Sequence, residues 1–279
     1  MANTIQGLLA SKSGDQSVQY ISTVDAYNKW AEVYDTDGNF LQTLDTLQMR
    51  QILPMFLALA AARTQQEQAQ PIKLVDLGCG TGRNTLQLVA HAPRPAHIIG
   101  LDASPGMLNV ARSVIRHALP SEEDGNSDLL QSCTVDFEVL DLLQTPLTPP
   151  PSSLHAAGVI STLVLEHIPA RTFFEGAAAL LRPGGFLLVT NMHAEMGSIS
   201  QAGFVDPETG TKIRPTSYRY TVQDVLQVAE ECGFQLERLG GQTVREVEVD
   251  AGLAEVLGKR AQKWIGVKVW FGGCFSRKQ

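Results

Sequence analysis

The stretch Val75-Asp76-Leu77-Gly78-Cys79-Gly80-Thr81-Gly82 limits the possible folds more than any other part of the chain. An apolar run leads into it and a helical pattern leaves it. Glycine takes backbone angles closed to other residues and lets a ligand lie against the main chain. Alternate glycines here describe a tight turn between a strand and a helix. The spacing, Gly-x-Gly-x-Gly after an acid, differs from the Gly-x-Gly-x-x-Gly of dinucleotide folds. It also lacks the Lys of a phosphate-binding loop, which disfavours a nucleoside-triphosphate cradle.

Short apolar runs alternate with helical stretches around and beyond this turn. Strands are predicted at Lys73–Leu77, His97–Asp102, Thr134–Leu140, Gly158–Leu163 and Gly185–Asn191. Helices are predicted near Asn84–His91, Pro105–His117 and Arg171–Leu181. This rhythm describes an α/β fold: a doubly wound, mostly parallel Rossmann-like sheet, expected to have seven strands, with helices on both faces. Val244–Val249 and Ile265–Phe271 would close it as an antiparallel pair. Leu119–Asp128 and the proline-rich Leu143–Ser153 read as surface loops.

Residues 1–70 read as an N-terminal helical extension or lid, and residues 71–279 as the main domain. After a loose lead-in, Ser22 and Asp25 open a helix on which Tyr27, Trp30 and Tyr34 share a face. A second helix is expected over Leu41–Arg63, disturbed near Pro54, with a polar linker at 64–70. An insert at about 192–220 follows the fifth strand; such stretches are often lids. Within it, Asp206-Pro207-Glu208-Thr209-Gly210 would join two short strands. Thr221 and Asp224 start a helix that stops at Gly233.

Two further acids fall in register with the glycine turn. Asp102 ends the second strand, twenty residues beyond Gly82, and Asp141 ends the third. Open α/β sheets bind ligands at the carboxyl ends of their strands, and an acid at the second strand end can accept ribose hydroxyls. Ser104 and Pro105 cap and open the next helix.

Composition excludes several classes. Lys and Arg number 22 against 29 Asp and Glu, a net charge of -7 that works against binding phosphate backbones. No run of 18 apolar residues suggests a membrane span, and Met1 to Gln19 has no signal-peptide pattern. Cys79, Cys133, Cys232 and Cys274 form no Cys-x-x-Cys pair and lie near no histidine cluster. No metal site is expected, and a reducing, cytoplasmic setting fits best.

Taken in order, Asp76 to Gly82, Asp102, Asp141 and Leu181-Arg182-Pro183-Gly184-Gly185 resemble the motifs of class I S-adenosylmethionine-dependent methyltransferases. Val159-Ile160-Ser161-Thr162-Leu163-Val164-Leu165-Glu166-His167-Ile168-Pro169 is similar to the fourth-strand region of the ubiquinone/menaquinone-biosynthesis-like group. Tyr27 to Asp35 resembles that group's aromatic N-terminal helix. The resemblance covers about residues 24–240. One departure is visible: the family often has an acid where Ala156 and Ala157 stand.

The resemblance implies S-adenosylmethionine as cofactor and S-adenosylhomocysteine as product. Gly78, Cys79 and Gly80 would lie against the methionine part, with Asp76 organising the loop. Arg83 would pair with the cofactor carboxylate. Asp102 would take the ribose hydroxyls, and Ala103 and Met107 would line the adenine pocket. Asp141 would accept from the adenine amino group, with Leu142 beside it. Ser161, Thr162 and Leu163 would lie near the sulfonium, and Tyr27, Trp30 and Tyr34 would close over the cofactor, since aromatic faces suit a cation.

Methyl transfer needs alignment of acceptor, methyl and sulfur more than it needs a catalytic triad. A base matters only for an acceptor that keeps its proton, and His167 and His193 are the candidates by position. Met196, Tyr218 and Tyr220 would line an acceptor pocket. The expected reaction is in-line methylation of a small, fairly apolar biosynthetic or secondary metabolite, with O-methylation favoured and N-, S- or C-methylation open. Nucleic acid is disfavoured, because the Asn/Asp-Pro-Pro-aromatic run for exocyclic amines is absent. Three alternatives stay open: a rearrangement without methyl transfer, a cofactor-binding regulatory subunit, and an RNA or protein acceptor. Nothing in the sequence fixes the oligomeric state.

Overall fold

The apolar run before the glycine turn becomes a middle strand of a sheet buried on both faces. The computed structural model describes residues 4–6, 18–64, 70–119 and 132–279. Most of the expected lead-in, the linker at 65–69 and the loop at 120–128 lie outside the described residues. In chain order the strands are β1 (Val18–Tyr20), β2 (Ile72–Leu77), β3 (Ala96–Asp102), β4 (Cys133–Val139), β5 (Ala156–Thr162), β6 (Leu181–Met192), β7 (Phe204–Val205), β8 (Lys212–Arg214), β9 (Phe234–Glu237), β10 (Val244–Glu248) and β11 (Lys268–Arg277). The helices are α1 (Thr23–Trp30), α2 (Phe40–Thr64), α3 (Arg83–His91), α4 (Pro105–Ala118), α5 (Ala170–Leu180), α6 (Ala194–Gly197), α7 (Val222–Glu231) and α8 (Ala251–Leu257).

The main sheet runs β10-β11-β6-β5-β2-β3-β4, with β9 also paired to β11. Strands β4, β3, β2, β5 and β6 are parallel, and β11 is antiparallel to β6. This is the Rossmann-like, doubly wound sheet, but with eight strands rather than the expected seven. The extra strand arises at the edge. Residues Lys268 to Gly273 of β11 pair with β10, and Cys274 to Arg277 pair with β9. Two short strands thus share one edge position. Between them, Gly240 and Gly241 take φ of 61° and 86° and turn the chain out of the ladder.

Successive strand residues face opposite ways, so a strand covered on both sides must be apolar throughout. Leu74, Ile98, Ile160 and Leu188 pack toward α2, α3 and α4. Val75, Ile99, Val159 and Leu187 pack toward α5 and α7. Ala156 and Ala157 belong to this buried strand, where a carboxylate would need a partner. Helix α2 runs unbroken through Pro54; Pro54 and Arg50, whose carbonyl it leaves without a helical partner, are both exposed.

One buried charge fastens these layers. Asp45 of α2 is fully buried. Its Oδ1 accepts from Thr190 Oγ1 at 2.6 Å and Trp270 Nε1 at 2.9 Å, and its Oδ2 accepts from Arg83 Nη2 at 2.7 Å. Helix α2 is thereby tied to β6, β11 and α3 at a single carboxylate.

A second sheet of three strands, in the order β1-β8-β7, lies apart from the first. The hairpin expected in the insert is β7–β8; Asp206 Oδ1 accepts from the Glu208 and Thr209 amides in its turn. Strand β1 was not expected. It pairs in parallel with β8, Val18 opposite Lys212, and Ile5 N donates to Ser217 O at 2.8 Å. Ala26, Trp30, Met107, Phe204 and Ile213 form a small apolar cluster that joins this sheet to α1 and α4. Asn28 Oδ1 accepts from Ser104 Oγ (2.7 Å) and Gly106 N (3.0 Å). A Cβ at Gly106 would lie 3.2 Å from the Asn28 backbone, so glycine lets the two helices approach this closely.

Candidate active site

The carboxyl ends of β2, β3 and β5 open onto one cleft of about 300 Å³. Gly78, Gly80 and Gly82 take φ of 73°, 55° and 87°, so the turn requires glycine at all three places. The amides of Gly78 and Cys79 donate to Leu101 O at 2.7 and 2.9 Å, which pins the loop to β3. Gly80 N donates to Asp102 Oδ2 and Ser104 N donates to Asp102 Oδ1, each at 2.8 Å. Asp102 thus ties the glycine loop to the start of α4 while its carboxylate lines the cleft. Burial pushes its carboxyl up, and the backbone N–H groups of Ser104 and Gly80 pull it back. Asp141 also lines the cleft, its Oδ1 accepting from Leu143 N at 2.8 Å.

The cover of the cleft is aromatic. Tyr27 and Tyr34 line it, with ring centres 5.8 Å apart. Burial raises both phenols, so both keep their protons at neutral pH. Tyr27 Oη lies 2.8 Å from His167 Nε2. His167 Nδ1 lies 2.9 Å from Thr216 O, so that nitrogen carries a proton and donates. Nε2 can then accept from Tyr27 when neutral, and pair with Glu166 Oε1 at 3.4 Å when protonated.

A smaller chamber of about 110 Å³ adjoins the cleft. Tyr27, Tyr34 and Leu163 line both spaces and stand at the boundary between them. Leu163 has φ of 59°, a left-handed conformation that costs a side-chain-bearing residue about 1–3 kcal/mol. The structure holds it there through Leu163 N, which donates to Thr190 O at 2.9 Å.

A family model for a methyltransferase domain matches residues 74–185. Over 277 residues the chain is 53% identical to an uncharacterized methyltransferase of Emericella nidulans, covering 96% of this chain and 95% of that one. The chain is a class I S-adenosylmethionine-dependent methyltransferase. Trans-aconitate 2-methyltransferase of Methylobacterium nodulans is 38% identical to this enzyme over 122 residues, 43% of this chain and 38% of that one. A solved structure from Listeria monocytogenes, described as an S-adenosylmethionine-dependent methyltransferase, superposes with a TM-score of 0.53 at 17% identity. It matches 84% of this chain and 98% of its own.

The methyltransferase's cleft suits this cofactor. Gly80 lines it, and a Cβ added there would meet nothing within 4 Å, so its bare backbone faces open space. Asp102 and Asp141 offer carboxylates, and Leu140, Leu142 and Leu143 offer an apolar slot beside Asp141. Ala103 also lines the cleft. Asp76 stands behind the loop, buried. Its Oδ2 accepts from Thr85 Oγ1 at 2.6 Å, while Oδ1 has no partner among the described residues. Burial pushes its carboxyl up to about 7.

Several expected residues lie elsewhere. Helix α1 ends at Trp30, so Tyr34 sits in the following turn; the three rings still cluster. Trp30 stacks on Phe204 and faces the chamber rather than the cleft. Arg83 turns away to Asp45 and Thr46, a buried partner and a near one that outbid the cleft. Cys79 and Met107 are buried side chains that do not line the cleft. Ser161 Oγ donates to Leu77 O at 2.8 Å, holding β5 against the end of β2.

On the acceptor side, Met196 lines the chamber. His193 does not line either space. It caps α6, its Nδ1 accepting from Glu195 N, and its Nε2 donates to Glu246 Oε1 at 2.9 Å. Tyr220 Oη accepts from Ala170 N and donates to Ile168 O, so it caps α5. Tyr218 stacks on Tyr220 and lines neither space. Thr162 and Leu163 line the cleft as expected, while sequence reasoning missed Val164 and Ile168 of the cleft, and Glu166 and Gln201 of the chamber. Glu166 stood inside a quoted motif next to His167, and that adjacency was the available signal.

Proposed function

We propose that this methyltransferase methylates an oxygen of a small biosynthetic metabolite, with residues 1–70 and about 192–220 acting together as a lid over the main domain. The observation that carries this reading is the small chamber beside the cleft, with Tyr27, Tyr34 and Leu163 lining both. Its 110 Å³ has no room for a folded polymer. Trans-aconitate 2-methyltransferase, similar over part of its length, carries a small molecule in its name.

When bound, S-adenosylmethionine supplies an electrophilic methyl group on a positively charged sulfur. Gly78 and Gly80 would receive its methionine part, Asp102 its ribose, and Asp141 with Leu142 its adenine. The rings of Tyr27 and Tyr34 would face the positive charge and keep water from the reacting atoms. An oxygen acceptor that arrives protonated must lose a proton as it is methylated. Tyr27 Oη would pass that proton to His167 Nε2, and the Glu166 carboxylate would stabilise the imidazolium. Such a path is unnecessary for an acceptor that comes with a free lone pair, which is why it favours oxygen. Among the described residues no helix is long and apolar enough to cross a membrane.

The test supplies methyl-labelled cofactor to the purified protein with a cell extract split into small molecules, RNA and protein. Label is expected in the small-molecule fraction, on oxygen by mass spectrometry. Label in RNA or protein would overturn the acceptor assignment while leaving the fold and cofactor in place.

A further inference from the structure

Among the described residues, two that bear side chains take left-handed backbone angles, and their surroundings differ. His155, with φ of 61°, is exposed in the turn before β5. Leu163, with φ of 59°, is buried and follows β5 directly. Histidine is among the residue types that enter this region more readily; for a buried leucine the angle is strain that the surrounding structure must hold. Three ties do so. Asn84 Nδ2 donates to Thr162 Oγ1 at 2.8 Å, and Leu163 N donates to Thr190 O at 2.9 Å. Val164 packs on the glycine turn so closely that a Cβ at Gly78 would lie 2.3 Å from its Cγ2. The residues on both sides are thus fixed, and Leu163 carries the turn between them.

The place where this strain is held is the boundary between the cleft and the chamber. Leu163 lines both spaces, as do Tyr27 and Tyr34. The two tyrosines come from the N-terminal segment, whereas Leu163 stands at the end of a central strand of the main sheet. It is the aliphatic one of the three, and it belongs to the apolar cluster that includes Met192 and Met196 of the chamber wall. An aliphatic side chain neither donates nor accepts a hydrogen bond. What it does at a boundary is occupy volume.

We infer that Leu163 is the partition between the sulfonium substituent of the bound cofactor and the acceptor chamber. It is then a specificity-determining residue: its bulk limits the alkyl group that the cofactor can present on sulfur to one the size of methyl. The left-handed backbone is the strain that places it there. A leucine that merely fills the core would change stability when trimmed, but not the choice among cofactors. This deepens the reading of cleft and chamber as the cofactor and acceptor sites and rests on it.

The test titrates the whole protein by calorimetry with S-adenosylhomocysteine, S-adenosylmethionine and the analogue that carries S-propyl in place of S-methyl. The two sulfonium compounds share their charge and differ in the volume on sulfur. Wild-type protein is expected to bind the propyl analogue about tenfold or more weakly than S-adenosylmethionine. Leu163→Ala should bring the two within about threefold of each other, because the clash that discriminates them is gone. Ile160→Val loosens the same apolar cluster at a residue that lines neither space, and should keep the wild-type ratio. In chemical denaturation Leu163→Gly should unfold at a higher midpoint than Leu163→Ala. That reverses the order at an ordinary backbone position, since glycine takes this angle freely and alanine does not. Equal binding of both sulfonium compounds by the wild type, an unchanged ratio in Leu163→Ala, or an alanine variant more stable than the glycine one overturns the inference. Failure of S-adenosylhomocysteine itself to bind would instead remove the cofactor reading of the cleft beneath it, and the inference with it.

Discussion

The floor of the cleft and its cover are built by different means. The floor is held by backbone amides: those of Gly78 and Cys79 on Leu101 O, and those of Gly80 and Ser104 on a single side chain, the Asp102 carboxylate. The cover rests on side chains and a short sheet: Tyr27 on His167, Asn28 on Ser104 and Gly106, Thr81 on Asp35, and β1 on β8. Backbone bonds survive most substitutions, whereas side-chain bonds vanish with the residue. With Asp102 as its one side-chain anchor, the floor is suited to one unchanging cofactor, and the cover is the part that substitution can reshape around different acceptors.

Four measurements would sharpen or break this division. The largest effect should come from beneath the floor. Asp45→Ala leaves the Arg83 charge, the Trp270 indole and the Thr190 hydroxyl without their partner. A loss of about 3–5 kcal/mol in chemical denaturation is expected; a loss confined to the cover would show that Asp45 does not bind the layers together.

Asp76 comes next. Burial raises its folded pKa from 3.8 to about 7, so between those values the folded state holds a proton that the unfolded state has released. Unfolding free energy from this group should fall as pH rises from about 4 to about 7, by at most roughly 4 kcal/mol. Asp76→Asn should flatten that slope and be the more stable form at pH 8. Parallel pH profiles for the two proteins would remove the buried carboxyl from the account.

Asp102→Ala should weaken S-adenosylhomocysteine about 100-fold by calorimetry, since it removes a ligand carboxylate and the tie between loop and helix together. Equal affinity in both proteins would sink the floor assignment. The smallest effect belongs to the cover. Asn28→Ala should cost about 1 kcal/mol and speed amide exchange over Thr23–Trp30 and 204–214. Exchange rising equally in β2 and β3 would mean that floor and cover are one cooperative unit.

The same division explains what could be read from the residues alone. The glycine turn, Asp102, Asp141 and the capping box at Thr221 are local patterns, and each stands where its spacing predicts. Strand β1 is three residues long and gains its shape from β8, far along the chain, so no local period marks it. Asp45 sits in a helix of ordinary pattern; only the fold brings Arg83, Thr190 and Trp270 to it. Arg83 was misdirected for that reason, since its neighbour in sequence is the glycine loop but its partner in space is α2. His193 and Tyr220 stand at expected positions after strands and helices, yet their rings are consumed by capping.

The parallel pairing of β1 with β8 also sets an order of assembly. A chain leaving the ribosome presents Val18–Tyr20 early, but its partner Lys212–Arg214 emerges only after β2 to β6 are out. The first segment must wait while the sheet behind it forms. Closing that long loop costs entropy that only the finished insert can offset. Each newly made molecule therefore passes through a stage with its cofactor floor built and its roof still open.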